Sequence, residues 1–198
     1  MSLLLLRHGK TLWNQQGRYL GRTDLPLSPE GAAELSAWTD DLPGKIFTSP
    51  MLRCRQTAEI LFPGRQSQPV HGWEEMDFGI YEGRTWKELA NDPQSGYQAW
   101  VDGGCLAPIP QGEDKAGFCR RVTVAFRRLA EAGDLDDAAL VVHGGTIMAL
   151  LEAFGEPRRP FYDWHCGNGE GWQVRWEAKS ARLLVLGPIS SRKGNERL

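Results

Sequence analysis

Four consecutive leucines, Leu3 to Leu6, lead directly into Arg7, His8 and Gly9 near the start of the chain. A short apolar run that ends at a glycine turn is typical of a β-strand buried on both faces of a sheet. Ligands of open α/β sheets bind at the carboxyl ends of such strands. The opening segment therefore predicts a guanidinium and an imidazole side by side at a binding edge.

The same order of strand, turn and helix recurs along the chain. Apolar strands are predicted at 45–48 and 138–142, and the second runs into His143, Gly144 and Gly145 before an apolar helix. Alternation of strands and helices with right-handed crossovers predicts a mainly parallel sheet covered on both faces. We therefore expect a three-layer α/β/α fold.

Two Ser-Pro pairs mark predicted helix starts, since serine caps helices and proline favours their first position. Ser28-Pro29 predicts a helix that runs to Leu42, before a Pro-Gly stop, and Ser49-Pro50 predicts one directly after the second strand.

The predicted alternation of strands and helices is interrupted between residues 72 and about 113. This segment is rich in turns, and long irregular segments in compact domains are usually functional lids. We therefore expect one domain over 1–188, with a cap inserted at about 72–113 over the edge of the sheet. The last residues, 189–198, are expected to form a polar tail.

Composition excludes several classes of partner. The 198-residue chain carries a net charge of −2, so no basic field favours nucleic acid or a membrane surface. Its apolar N-terminal run is too short for a signal peptide, which predicts a cytoplasmic protein. The four cysteines form no CxxC pair, so we expect reduced thiols, no metal and no cofactor.

The residues at the predicted strand–helix junctions share one chemistry. Arg7 and Arg53 offer planar guanidinium forks that match phosphate oxygens, and the helix start at Gly144 adds backbone donors. An imidazole such as His8 can accept a phosphoryl group and pass it on, while His143 helps to neutralise charge on the transferring group. The expected ligand is a small phosphorylated metabolite.

A phosphoryl transfer from an ester also needs a proton for the departing oxygen. Glu75, in the predicted cap, is the candidate donor, and the same carboxylate then activates water to hydrolyse the phosphohistidine. The other acids nearby, Glu74, Asp77 and Glu82, are the alternatives. Glu75 is preferred only because of its place in the segment Glu75-Met76-Asp77-Phe78-Gly79.

Five segments, in this order along residues 3 to about 150, resemble the histidine phosphatase superfamily, which has the phosphoglycerate mutase-like fold. They are Arg7-His8-Gly9 with Thr11, Trp13 and Asn14; Thr23 to Ser28 with Gly31; Ser49 to Ala58; Glu75 to Gly79 with Glu82 and Gly83; and Val142 to Gly145. The resemblance implies that His8 is phosphorylated, that Glu75 donates the proton, and that His143 assists. It also implies a phosphate pocket of Arg7, Asn14, Arg53 and Gly144. The substrate rim is expected at Lys10, Arg18 and Gly21, although Lys10 departs from the family's usual Glu, Gln or Ser.

Tyr97 to Trp100, Pro110 to Glu113 and Phe118 with Arg121 resemble the branch that includes α-ribazole phosphatase of cobalamin assembly. The expected activity is thus a metal-independent phosphomonoesterase. The alternatives are a phosphoglycerate mutase, against which the short chain argues, a broad-specificity sugar phosphatase, and a non-catalytic phosphate-binding module. The expected oligomeric state is a monomer or a homodimer.

Overall fold

The computed structural model of the protein describes residues 2–39 and 42–192. Its strands are β1 (Leu3–Arg7), β2 (Lys45–Thr48), β3 (Gln68–Pro69), β4 (Ala138–Val142), β5 (Gly155–Glu156), β6 (Glu170–Glu177) and β7 (Arg182–Ser190). Its α-helices are α1 (Leu12–Gln15), α2 (Pro29–Ala33), α3 (Leu52–Leu61), α4 (Trp86–Ala90), α5 (Tyr97–Asp102), α6 (Lys115–Glu131) and α7 (Gly144–Phe154). None of the helices in these residues is long and apolar enough to cross a membrane.

The seven strands form one sheet in the order β3-β2-β4-β1-β6-β7-β5. Strands β3, β2, β4 and β1 are parallel to one another, and β6 runs antiparallel to both β1 and β7. The prediction of a mainly parallel sheet is therefore confirmed. In the register between the central strands, Leu3 lies opposite Ala138 and Arg7 opposite Val142. The carboxyl ends of β1 and β4 are thus level.

Side chains of the central strands alternate between two hydrophobic clusters, one on each face of the sheet. Leu3 and Leu5 belong to the cluster that contains Phe118 of α6 and Leu150 of α7. Leu4 and Leu6 belong to the cluster on the other face, which contains residues of α3. This division confirms the three-layer α/β/α fold, and it places α3 and α7 on opposite faces.

The first Ser-Pro helix, α2, is much shorter than predicted. Ser28 is its N-cap, but the helix ends at Ala33 rather than at Leu42. Beyond it, the backbone amide of Ser36 donates to Ser191 and that of Trp38 donates to the carbonyl oxygen of Leu61. The segment satisfies its backbone through these long-range bonds, so the apolar spacing there reflects packing and not a helix.

The second Ser-Pro prediction also fails at its cap. Helix α3 begins at Leu52, its N-cap residue is Met51, and no side chain caps it. The Ser49 hydroxyl instead lies 2.8 Å from Nε2 of His143.

The segment 72–113, called the cap below, contains α4, α5 and two short 3-10 helices, and no strand. At the other end of the chain, β7 extends to Ser190, two residues into the predicted tail. Ser191 donates to the carbonyl oxygen of Gly169 (2.7 Å), and Arg192 donates to that of Asn168 (3.0 Å). The rest of the predicted tail, 193–198, lies outside the described residues.

Candidate active site

Three adjacent parallel strands, β2, β4 and β1, bring distant segments to one edge of the sheet. Ser49, His143 and His8 directly follow their carboxyl ends. The rings of His8 and His143 lie edge to face, with centroids 5.2 Å apart. Both rings are buried, with 4% and 0% of each residue exposed.

Hydrogen bonding fixes the tautomer of His8. Its Nδ1 lies 2.6 Å from the carbonyl oxygen of Gly9, which can only accept, so Nδ1 carries the proton. Burial, and then the positive charges of Arg53 and Arg7, hold the pKa of His8 well below its usual value. The ring is therefore neutral at pH 7, with an unprotonated Nε2 that has no partner among the described residues.

Arg53 lies in the first turn of α3 and is fully buried. Its Nε donates to Nδ1 of His143 (3.3 Å), and its two terminal nitrogens donate to the carbonyl oxygens of Thr23 (3.0 Å) and Gly21 (2.8 Å). Burial lowers the pKa of this guanidinium, but arginine remains a cation in proteins. The structure thus places one fixed positive charge against the second imidazole.

The opposite nitrogen of His143 contacts Ser49. Because Nδ1 accepts from Arg53, the neutral ring carries its proton on Nε2, which donates to the Ser49 hydroxyl at 2.8 Å. Burial, followed by the charge of Arg53, holds the pKa of His143 well below its usual value. The neighbouring thiol of Cys54 is also buried, which raises its pKa to about 12 and keeps it protonated.

The guanidinium of Arg7 lies beside the N-terminus of α7. The Nη1 of Arg7 donates to the carbonyl oxygen of Cys166 (2.7 Å), whereas its Nε is buried without a partner in the described part of the chain. Gly144 opens α7, and a Cβ there would lie 3.3 Å from the guanidinium carbon of Arg7. A guanidinium beside a helix N-terminus concentrates positive potential, which favours an anion.

Asn14 and Glu75 supply the remaining polar groups of this site. The Asn14 side-chain oxygen accepts from the amide (3.1 Å) and hydroxyl (3.0 Å) of Thr11, which leaves its NH2 group to donate. The two oxygens of Glu75, which is 9% exposed, accept from the amides of Met76 (2.9 Å) and Gly145 (3.0 Å). Glu75 therefore lies directly at the N-terminus of α7.

A cavity of about 470 Å³ opens beside these groups. Its polar end is lined by Arg7, Asn14, Glu75, Gly144 and Gly145. Arg18, Cys105, Lys115 and His165 also line the cavity, and the rest of the lining is aromatic and apolar: Tyr19, Leu20, Met76, Phe78, Tyr97, Trp100, Val101, Phe118, Met148, Phe161 and Tyr162. His8, Arg53 and His143 are buried next to the polar end and are not among the lining residues.

The three predicted rim residues have different positions. Lys10 does not line the cavity, and its ammonium group pairs with Glu34 at 2.9 Å. Arg18 lines the cavity and also pairs with Glu88 of the cap at 3.0 Å. Gly21 lies outside the lining, where its carbonyl accepts from Arg53 and any Cβ would overlap the carbonyl oxygen of Met76.

Sequence reasoning missed several residues that build the site. The Ser49-Pro50 pair predicts a helix start, whereas the Ser49 side chain contacts His143. Asn168 donates to the carbonyl oxygen of His8 (3.1 Å), and its own segment supplies the Cys166 carbonyl that holds Arg7. The only signal in the sequence was the Gly-Asn-Gly turn at 167–169, which indicates a tight bend and not a function.

Comparison with known proteins shows the family of this chain. The family described as the histidine phosphatase superfamily, branch 1, matches residues 3–187. The chain belongs to the histidine phosphatase superfamily. It is therefore a phosphatase enzyme, as the sequence analysis predicted, and the resemblance to the α-ribazole phosphatase branch is confirmed by its relatives.

Among the curated relatives of this histidine phosphatase is the "Adenosylcobalamin/alpha-ribazole phosphatase" of Escherichia coli strain K12. It is 28% identical over 193 residues, which cover 94% of this chain and 95% of the relative. The "Probable phosphoglycerate mutase GpmB" of Klebsiella pneumoniae strain 342 is 27% identical, covering 96% and 94% of the two chains. The crystal structure of the α-ribazole phosphatase from Shigella flexneri shares the fold, with a TM-score of 0.85, 24% identity and full coverage of both chains.

Proposed function

We propose that this histidine phosphatase is a metal-independent phosphomonoesterase that works through a phosphohistidine on His8. The observation that carries the proposal is the tautomer of His8. Its Nδ1 proton is held by the Gly9 carbonyl, so Nε2 keeps a lone pair at pH 7. An unprotonated imidazole nitrogen is the form that attacks phosphorus.

In the first step, Nε2 of His8 bonds to phosphorus and the bond from phosphorus to the ester oxygen breaks. Arg7, Arg53 and the NH2 group of Asn14 are assigned to the phosphoryl oxygens, where positive charge stabilises the transition state. Neutral His143 lies against Arg53 and helps to hold it in place.

Glu75 is assigned the proton transfers. Protonated, it gives its proton to the departing ester oxygen. As a carboxylate, it then takes a proton from water, whose oxygen attacks the phosphohistidine, so that the bond from phosphorus to nitrogen breaks and phosphate leaves. Each Glu75 oxygen accepts one backbone amide and retains another lone pair for this exchange.

The aromatic residues that line the cavity favour a substrate with a large, flat leaving group. Tyr97, Trp100 and Phe78 are among the side chains that line it, and a heteroaromatic ring would pack against such faces. We therefore propose α-ribazole 5′-phosphate as the substrate, the nucleotide form of the compound named for the E. coli and Shigella flexneri relatives. Cytoplasmic location and a monomeric or dimeric state are expected from the sequence.

A phosphoglycerate mutase is the second candidate, because relatives of similar identity carry that name. A phosphoglycerate would bring a carboxylate into the cavity as well as its phosphate. Two of the cations that line the cavity are already paired, Lys115 with Glu152 and Arg18 with Glu88, both at 3.0 Å. The apolar lining therefore favours the phosphatase.

The test uses purified protein and para-nitrophenyl phosphate, with and without EDTA. We expect EDTA to leave the rate unchanged and His8→Ala to lower it by about three orders of magnitude or more. Mass spectrometry of the phosphorylated enzyme should find the phosphoryl group on His8, and acid should remove it. His71→Ala is the matched control, because the His71 side chain is exposed and outside the site.

Loss of activity on chelation, or full activity in His8→Ala, would contradict the mechanism. The substrate is tested separately by comparing kcat/KM for α-ribazole 5′-phosphate, sugar phosphates and 3-phosphoglycerate. Isomerisation of phosphoglycerate faster than phosphate release would instead establish the mutase.

A further inference from the structure

Arg121, on α6, holds the stretch of backbone that carries Glu75. Its Nη1 donates to the carbonyl oxygens of Gly72 (3.0 Å) and Glu74 (2.7 Å), and its Nη2 donates to that of Glu75 (2.9 Å). One side chain therefore fixes three peptide groups within four residues of the cap. Arginine suits this task because its donors lie in a rigid plane.

Glu113, at the end of the cap, completes the arrangement. Its two carboxylate oxygens accept from Nε and Nη2 of Arg121, both at 2.7 Å. One of these oxygens also accepts from the amide of Asp77 (2.9 Å), and the Glu113 amide donates to the Asp77 carbonyl (3.0 Å). Arg121 and Glu113 thus hold the chain on both sides of Glu75.

Charge strengthens this pair. Burial by itself would raise the pKa of Glu113, but hydrogen bonds from Arg121 and the Asp77 amide bring it below its ordinary value. The pair is therefore ionised at pH 7, and bidentate charge-assisted bonds are the strong class of hydrogen bond. A fixed backbone at 72–77 leaves Glu75 little freedom except its own side-chain rotamers.

We propose that Arg121 and Glu113 are positioning residues for the proton donor: they hold the backbone at Glu75 so that its carboxylate stays at the Gly145 amide, within reach of the departing oxygen. The inference rests on the proposed role of Glu75. Neither Arg121 nor Glu113 lines the cavity, so neither is placed to touch the substrate. Arg121 also lies over the ring of the lining residue Phe118, 4.9 Å from its centroid, and a change in that packing would affect substrates with either kind of leaving group.

If Arg121 and Glu113 position the proton donor, their variants should lose more activity on substrates whose leaving group needs a proton. An alkyl phosphate releases an alkoxide that must be protonated as it leaves, whereas para-nitrophenolate is stable and leaves without a proton. Displacement of Glu75 should therefore lower kcat/KM for an alkyl phosphate far more than for para-nitrophenyl phosphate. General loss of folded protein would lower both by the same factor.

The experiment measures kcat/KM on both substrates for Arg121→Met, Arg121→Lys and Glu113→Gln. We expect Arg121→Met to reduce activity on the alkyl phosphate by about 10- to 100-fold and on the aryl phosphate by less than about threefold. Arg121→Lys should restore part of the loss. Arg120→Met is the matched control, because Arg120 is the exposed neighbour on the same helix, and it should change neither rate.

Glu75→Gln separates this proposal from the one it rests on. If Glu75→Gln shows no leaving-group dependence, the assignment of the proton donor is wrong. Suppose that Glu75→Gln loses more activity on the alkyl phosphate than on the aryl phosphate. If the Arg121 and Glu113 variants then lower kcat/KM for both substrates by the same factor, the positioning role is wrong. Adding Arg121→Met to Glu75→Gln should cause no further selective loss on the alkyl phosphate, and an additive selective loss would also overturn the proposal.

Discussion

His143 has a buried hydrogen-bond partner on each side of its ring, and the two partners together decide where its proton resides. Arg53 can only donate, so it requires a lone pair on Nδ1, and the proton on Nε2 then needs an acceptor. Ser49 supplies it at 2.8 Å. A serine hydroxyl at the end of β2 thereby holds the neutral imidazole in one orientation beside His8.

Two adjacent hydroxyls allow this role to be tested. Ser49→Ala would leave the buried Nε2–H of His143 with only the weakly accepting Cys54 sulfur, 3.6 Å away, so we expect a loss of about 1–3 kcal/mol in the free energy of unfolding, measured by urea titration. Thr48→Val is the control, because the Thr48 hydroxyl is buried and has no partner among the described residues. Its replacement should be neutral or stabilising. Equal destabilisation by both changes would contradict the importance of the bond to His143.

At the scale of elements, the cap is joined to the loop that orients Arg53. The carboxylate of Glu82 accepts from the Arg22 amide (2.8 Å) and the Thr23 hydroxyl (2.9 Å). The carbonyl oxygens of Gly21 and Thr23, in the same loop, accept from Arg53. The cap thus contributes to the orientation of the guanidinium as well as to one wall of the cavity.

We predict that Glu82→Gln weakens the binding of inorganic phosphate by about tenfold, because in either orientation the glutamine NH2 group would face a backbone amide that can only donate, at Arg22 or at Thr23, and loosen the loop. The measurement is the inhibition constant of phosphate against para-nitrophenyl phosphate. Glu59→Gln, at an exposed position on α3, is the control and should leave the constant unchanged. Unaltered phosphate affinity in a folded Glu82→Gln protein would show that the loop orients Arg53 without the cap.

For the whole molecule, burying two imidazoles links folding to pH. The pKa values of His8 and His143 are lowered in the folded state, chiefly by burial, while the unfolded chain titrates near ~6.5. Below that pH the unfolded chain binds more protons than the folded one, so stability falls as the pH falls. Above it, both states hold neutral rings and this contribution to stability is fully present.

We therefore predict that the free energy of unfolding decreases from about pH 6.5 towards about pH 5, by up to about 1.4 kcal/mol per pH unit for each buried ring. His165 is exposed, but desolvation and then the charge of Arg7 lower its pKa, so it adds a smaller contribution of the same sign. His143→Gln should reduce the slope, whereas His71→Gln, at an exposed ring, should not. The measurement is urea unfolding across this pH range, and a flat profile would contradict the burial of neutral rings.

The layers of the fold and the residues at its central strand ends follow from local sequence patterns. Runs such as Leu3 to Leu6 alternate between two faces of a strand, and an apolar run buried on both faces requires helices above and below it. Because the carboxyl ends of parallel strands meet at one edge, residues that follow such runs, such as His8 and His143, were predictable as neighbours.

The contacts of each side chain, in contrast, depend on segments that are distant in the sequence. The apolar spacing after Ser28 predicted a long helix, but backbone bonds from Ser36 and Trp38 to distant segments end it at Ala33. Ser49 likewise binds His143, 94 positions away, instead of capping α3. Local sequence encodes propensity and periodicity, whereas such bonds depend on segments that only folding brings together.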